Sequence, residues 1–281
     1  MKYIFTIIIL TLSLLTFSQK TEKVKKKFSV DGITVKEKYY VLKSDTSIRH
    51  GEYKRYDVLN DLQESGFYKM GVKDSIWKTY ILNKYIGSIG YYRNDKKSGV
   101  WKYYTNVGTK NPNYDKKSPL IMTKHGSYSN DSLVGIWNYY KAGELEQKFD
   151  YSSNTIIFPV TNETKNIYYI KNDSGIITSK LDRPPYLVGG NTARVDNWKK
   201  MDHSKLSTLS NNSQDISYAL SFWIKPDGTT YDYKMAKSVN AEYDNYIIEY
   251  YKANYKWTPG VLNGNNVECQ VIVSNGYIVK M

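Results

Sequence analysis

Through the middle of the chain, polar and apolar residues alternate in short stretches broken by turn signals, which is the period-two signature of half-buried β-strands. Between residues 48 and 150 this alternation is a repeat. Gly66-Phe-Tyr68 with Trp77 and Tyr80 returns as Gly90-Tyr-Tyr92 with Trp101 and Tyr104, and again as Gly126-Ser-Tyr128 with Trp137 and Tyr140. In all three copies the Trp follows the Gly by 11 residues and the second Tyr follows it by 14. Ser75, Gly99 and Gly135 stand two residues before each Trp, and Gly51, Tyr53 and Tyr56 form a degenerate earlier copy. The step is 24 residues until the last, which is 36, so residues 109–120 (TKNPNYDKKSPL) read as a 12-residue loop insertion. One hairpin alone is marginal in water, whereas stacked copies share an elongated core. The expectation is therefore a β-rich hairpin repeat, arranged as a solenoid or an extended meander. The repeated Trp and Tyr are core positions in that reading. Tyrosines exposed on one face to bind glycan, lipid headgroup or protein are the functional alternative.

Different patterns flank the repeat. Residues 19–47 are a basic lead-in with the first strands. Residues 151–180 hold two short apolar runs, Ile156 to Phe158 and Ile167 to Ile170, expected as strands that close the repeat or link it to the C-terminal region. From Tyr218 to Met235 two alternating stretches flank Pro226-Asp-Gly228-Thr229, which predicts a hairpin with one buried face. Asn240 is placed to cap a helix reaching Ala253, with Glu242 and Asp244 in its first turn and Tyr243, Ile247, Tyr250 and Tyr251 at core spacing. Trp257-Thr-Pro259-Gly260 stops it. Val267, Cys269, Val271 and Val273 then alternate as a last strand with the cysteine on its buried side. Residues 181–281 are thus expected to be a small α+β unit in the order strand, strand, helix, strand.

The N-terminus carries a different signal. Met1-Lys2-Tyr3 precedes an apolar run from Ile4 to Phe17, which matches the hydrophobic region of an export signal and is shorter than the ~20 residues that span a bilayer. Cleavage after Ser18 is the expected outcome, giving a periplasmic or secreted chain. An uncleaved anchor held by Lys20, Lys23, Lys25, Lys26 and Lys27 is the alternative.

Composition narrows the classes. The chain has 281 residues, 41% hydrophobic and 24% charged, with a mean hydropathy of -0.58, which excludes a polytopic membrane protein and wholesale disorder. Its 29 Tyr against 7 Phe suit half-exposed strands better than buried parallel ones. The net charge of +13 is unevenly placed: residues 20–180 hold 28 Lys plus Arg against 17 Asp plus Glu, and residues 181–281 hold 11 against 10. Such a surplus suits nucleic acid on charge alone, but an exported chain with no nucleic-acid-binding signature argues against it. Anionic headgroups or envelope polymers are the better candidates, beside a basic surface that is merely solvated.

Candidate chemistry is sparse. A single Cys269 cannot form an internal disulfide, and His50, His125 and His203 lie far apart without ligand spacing, so no metal or cofactor is expected. There is no nucleophile elbow, zinc-protease helix or phosphate loop, and Gly189-Gly190 alone is too little to cradle a phosphate. An enzyme is not expected.

Two resemblances fit these patterns. The chain resembles the MORN-type repeats of YwqK-like bacterial proteins, which define no single activity: their phrase G-x-Y-x-x-G-x-x-x-G-x-W-x-x-Y is closely met at residues 66–80, 90–104 and 126–140, with Ser75 for Gly in one copy and Asp95 and Asp131, expected at positive φ, where the first copy has Gly71. Phe222-Trp-Ile224-Lys-Pro-Asp227-Gly228, Trp257-Thr-Pro259-Gly260, Asn263-Gly264 and the last strand, approached by Arg183-Pro-Pro-Tyr186 and Gly189-Gly190, resemble the TonB C-terminal domain. That resemblance implies an envelope protein-interaction module. Its last strand, Val267, Glu268, Cys269, Gln270, Val271, Ile272, Val273 and Ser274, would be a sheet edge that accepts an extended peptide of an outer-membrane transporter by β-augmentation, with Trp257, Pro259 and Gly260 positioning it. A TonB protein has a long Pro-rich stretch upstream where this chain has repeats, which separates the fold from energy transduction. The second functional reading is an extracytoplasmic structural or adhesion-type protein that reuses the fold without a transporter.

Overall fold

The protein is described by a computed structural model over residues 19–30, 32–82, 84–106, 120–158, 166–210, 217–274 and 277–278. The expected export signal and nearly all of the expected loop insertion lie outside these residues.

Eleven strands follow one another as a single antiparallel sheet in strict chain order: β1 (Thr21–Val30), β2 (Ile33–Leu42), β3 (Arg49–Tyr56), β4 (Leu62–Lys69), β5 (Val72–Ile81), β6 (Tyr85–Arg93), β7 (Lys96–Asn106), β8 (Leu120–Ser129), β9 (Ser132–Lys141), β10 (Glu144–Asp150) and β11 (Thr155–Phe158). The turns explain why this is a meander and not a solenoid. Met70-Gly71, Asn94-Asp95 and Asn130-Asp131 all have positive φ at both residues, the requirement of the two-residue turns that match strand twist and lay the next strand directly beside the last. The chain therefore never coils back on itself. Asp95 and Asp131 take the left-handed conformation expected of them where the first copy has Gly71, with φ of 64° and 68°. Each also ties its turn to the repeat before it, accepting from the backbone N–H of Lys73 at 2.6 Å and of Lys97 at 2.8 Å.

The repeat spacing has a steric cause. Trp77, Trp101 and Trp137 are 0–3% exposed, and each indole lies flat on the glycine of the strand before it. A Cβ on Gly66, Gly90 or Gly126 would sit 2.1–2.3 Å from the ring. Each indole Nε1 donates to a carbonyl of that same strand, at Phe67, Tyr91 and Ser127. Tyr92 and Tyr128 stand edge-on between successive indoles and Tyr68 between Tyr53 and Trp77, with ring centroids 5.0–6.1 Å apart, the arrangement favoured by ring quadrupoles. Above this inner face Arg49, Lys73 and Lys97 lie over the rings, Lys73 at 3.9 Å from the Trp77 centroid.

The second part departs from expectation. Of the described residues 61% are in strands and only 14% in helices, so the expected hairpin-repeat solenoid joined to a small α+β unit of strand, strand, helix, strand is not what forms. A seven-stranded sheet forms instead, ordered β13 (Gly175–Lys180), β12 (Ile167–Asn172), β17 (Asn265–Ser274), β14 (Ala219–Ile224) and β15 (Thr230–Lys237), with β16 (Gly260–Leu262) and β18 (Tyr277–Ile278) also paired to β17. Of residues 151–180, expected as strands that close the repeat or link it onward, β11 ends the first sheet and β12 and β13 belong to the second. The expected helix is there as α3 (Ala241–Asn254), capped by Asn240, whose side chain accepts from the Tyr243 N–H at 2.9 Å. Ile247, Tyr243 and Tyr251 of α3 pack with Leu220, Phe222, Cys269, Val271 and Val273 in one core.

Two further helices were not expected: α1 (Gly190–Lys200), which carries no apolar stripe, and the short α2 (His203–Leu209), which packs Leu206 and Leu209 against the same core. α1 docks on the ends of β8 to β10 through polar atoms. Thr192 Oγ1 donates to the Thr123 carbonyl at 3.1 Å, Lys124 meets Asp196 at 2.6 Å, and the Asn191 N–H donates to Glu146.

The glycine-on-indole contact makes a direct prediction. Gly90→Ala should destabilise the fold by about 1–3 kcal/mol, the usual cost of overpacking, and Trp101→Ala by about 3–5 kcal/mol through the void it leaves. Urea midpoints measure both; an unchanged midpoint for Gly90→Ala would show that the ring does not lie on the neighbouring strand.

Candidate functional site

The strand expected to offer a free edge is interior. Val267 pairs Gly260, Glu268 and Cys269 pair Lys171 and Ile170 of β12, and Cys269, Gln270, Val271, Ile272 and Val273 pair residues 224 to 220 of β14 in turn. Val273 and Ser274 also pair Ile278 and Tyr277. All eight residues of the expected docking edge thus have a partner within the chain, Gln270, Val271 and Ile272 on the β14 side only. The physical reason is the β12–β13 hairpin, whose first strand holds the apolar run expected as a strand at 167–170 and pairs Glu268 and Cys269 on the side of β17 opposite β14. Glu268 reinforces it, because it accepts from the Tyr231 hydroxyl of β15 and lies 3.6 Å from Lys171 of β12.

The expected positioning residues do shape this strand. Trp257 is 3% exposed and packs 5.5 Å from Phe222. Pro259 is buried beside it. Gly260 lets β16 approach the core, since a Cβ there would lie 2.6 Å from Leu181 and 3.1 Å from the Cys269 sulfur. Gly228 fills the Asp-Gly turn with φ +88°, and a Cβ on it would meet the Trp257 carbonyl at 2.7 Å. Cys269 is fully buried, and loss of solvent pushes its thiol up to about 11.

With β17 covered, the free edges are the outer strands, and they differ. β1 carries Lys23, Lys25, Lys26 and Lys27, and β15 carries Asp232, Lys234 and Lys237 with two register shifts against β14. Charges and irregular pairing of this kind keep other strands away. β11 is only four residues long. β13 has no such protection: Ile176 and Ile177 are 60% and 42% exposed, its one charge is the terminal Lys180, and no described strand pairs its outer side. Sequence reasoning missed it because the hairpin partner of the expected 167–170 strand carries no motif. The signal was the Asn172-Asp-Ser-Gly175 turn between two apolar runs.

A cleft of about 570 Å³ opens where α1 meets the strand ends, lined by Tyr103, Thr123, Lys124, Tyr140, Thr192 and Asp196. Its polar groups serve the joint: Lys124 is paired with Asp196 and Thr192 with backbone. His125 stacks on Tyr140 outside it, and burial, then Lys102 and Lys148, hold its imidazole below the ordinary value. Among the described residues no three of His, Cys, Asp and Glu cluster closely enough for a metal ion, and no helix is long and apolar enough to cross a membrane.

Compared with known proteins, the chain matches no family model, and no curated protein matches it.

Two experiments probe the buried strand. Cys269 in the native protein at pH 8 should be silent to a thiol reagent and react in full after urea, because burial and the raised pKa both suppress the thiolate; fast labelling of the native chain would place it outside the core. Val271→Pro, at the centre of an interior strand, should unfold the second sheet and not merely weaken partner binding, as amide exchange of residues 217–274 would report.

Proposed function

We propose that this chain is a non-catalytic, exported binding module of the cell envelope that captures an extended segment of a partner protein along β13. The observation that carries this reading is the contrast of edges: the charged edges β1 and β15 discourage added strands, whereas β13 offers unpaired backbone and two exposed isoleucines. An edge of that kind is an aggregation liability unless something covers it. A strand added there gains main-chain hydrogen bonds, with alternate apolar side chains supplying the preference. The favoured occupant is a strand-forming, apolar segment of an envelope protein, of which an outer-membrane transporter is one example.

A photo-crosslinking residue placed at Ile177 in the full-length chain, with a control at Asp232 on the opposite edge, tests the proposal in cells. The expected result is crosslinking from 177, but not from 232, to one short segment of one envelope protein. Ile177→Lys should abolish the capture while leaving the melting temperature unchanged. Equal labelling from both edges, or none from 177, would refute it.

A further inference from the structure

The outer face of the eleven-stranded sheet, opposite the aromatic core, carries a row of lysines that follows one line of paired residues. Lys25 pairs Lys38, Lys38 pairs Lys54, and Lys54 pairs Ser65. Ser65 pairs Lys78, Lys78 pairs Ile89, and Ile89 pairs Lys102. The line continues through His125 and Asn138 to Lys148 on β10. Directly paired residues share a face, so six lysines stand in one row across ten strands, and no carboxylate lies in it. With strands about 4.8 Å apart the row is on the order of 43 Å long.

Beside it runs a second row. Two residues beyond Lys54, Lys78, Lys102 and Asn138 come Tyr56, Tyr80, Tyr104 and Tyr140, on the same face because side chains alternate. All four are partly exposed. The face thus repeats a Lys-x-Tyr unit on β3, β5 and β7. Tyr80 shares a hydrogen bond with Ser65 at 3.0 Å, Tyr140 stacks on His125 and Lys38 lies over Tyr56, contacts that still leave each tyrosine partly exposed. One lysine of the row, Lys54, pairs with Glu52 of its own strand at 2.6 Å. Burial first, and then the neighbouring Lys102 and Lys148 of the row, hold the His125 pKa below its ordinary value.

We infer that this face binds a linear acidic polysaccharide laid across the strands, its carboxylates on the lysine row and its sugar rings against the tyrosine row. Charge spacing selects this ligand. From β3 to β7 the cations recur on every second strand, about 9.6 Å apart, which is the length of two sugar rings and suits a polymer with one carboxylate per disaccharide. A nucleic-acid strand in a duplex presents a charge about every 3.4 Å, roughly three for each lysine available. A bilayer offers its headgroups in two dimensions, whereas from β3 to β7 the cations of this row form one line; on β1 and β2, Lys23, Lys27 and Lys36 lie on the same face beside it. The tyrosines supply flat apolar rings with a polar tip, matched to a pyranose ring and its hydroxyls.

The test uses the full chain and hyaluronan oligosaccharides as the probe, with neutral dextran, phosphatidylglycerol vesicles and single-stranded DNA beside them. Hyaluronan should bind more tightly than DNA or vesicles, and dextran should not bind. The triple variant Lys54→Ala/Lys78→Ala/Lys102→Ala should lose at least tenfold in affinity and flatten the salt dependence with its melting temperature unchanged. Tyr80→Ala/Tyr104→Ala should weaken binding severalfold while keeping the salt slope. Ile177→Lys on β13 should bind the glycan as the native chain does, which separates this inference from the peptide-binding proposal. Tighter binding of vesicles or DNA, no binding of hyaluronan, or a triple variant that binds normally would overturn it.

Discussion

Each indole of the long sheet rests on a bare backbone, and the rest of the first unit is arranged around that contact. A single layer of strands has no second layer to bury its apolar side, so the core must be made by side chains that cover one another. A Trp laid on a neighbouring Gly does this with the largest available ring, and the edge-on tyrosines fill the steps between. The indole N–H is satisfied by the same strand that the ring covers, so no polar group is left stranded in the seam. The requirement fixes Gly and Trp and leaves the outward positions free of it. That freedom is why the two faces of one sheet can be so different.

The junction between the two sheets is of another kind. Gln147, 2% exposed, exchanges hydrogen bonds with the Leu187 carbonyl and the Gly189 N–H at 3.0 and 2.6 Å. Val188 and Tyr186 pack against Trp137, Tyr139 and Phe149 at the end of the aromatic ladder. Gly189-Gly190, too weak a motif for phosphate, has a steric purpose here: a Cβ on Gly190 would lie 2.6 Å from Glu146 Oε2, and one on Gly189 would lie 2.8 Å from Ala193. The pair lets the entry to α1 press onto β10.

Much of the architecture was legible because it rests on local rules. The 24-residue spacing, the Asp-Gly hairpin, the Asn240 cap and the buried side of Cys269 all follow from periodicity, turn chemistry or capping, and each is where the sequence placed it. What could not be read was pairing at a distance and docking by polar atoms. Nothing in residues 167–180 announces that they will lie against residues 268–269. α1 holds its place through Thr192, Asp196 and Asn197 rather than an apolar stripe, so a search for hydrophobic periodicity passes over it. The candidate site moved for the first of these reasons: the last strand has the expected alternation, but which of its sides stays open depends on a hairpin about a hundred residues upstream.

The two sheets also differ in when they can form. Every pairing in the first joins strands adjacent in sequence, so that sheet can grow strand by strand as the chain emerges, with little loop entropy to overcome at each step. The second cannot close in that way, because β12 waits for β17, about a hundred residues further along the chain. Until then β12 and β13 have no sheet to join, and Ile170, 2% exposed in the folded chain, remains uncovered. The interval between the synthesis of residue 180 and that of residue 274 is therefore the period in which this protein most needs a chaperone, or an export route that delivers it unfolded.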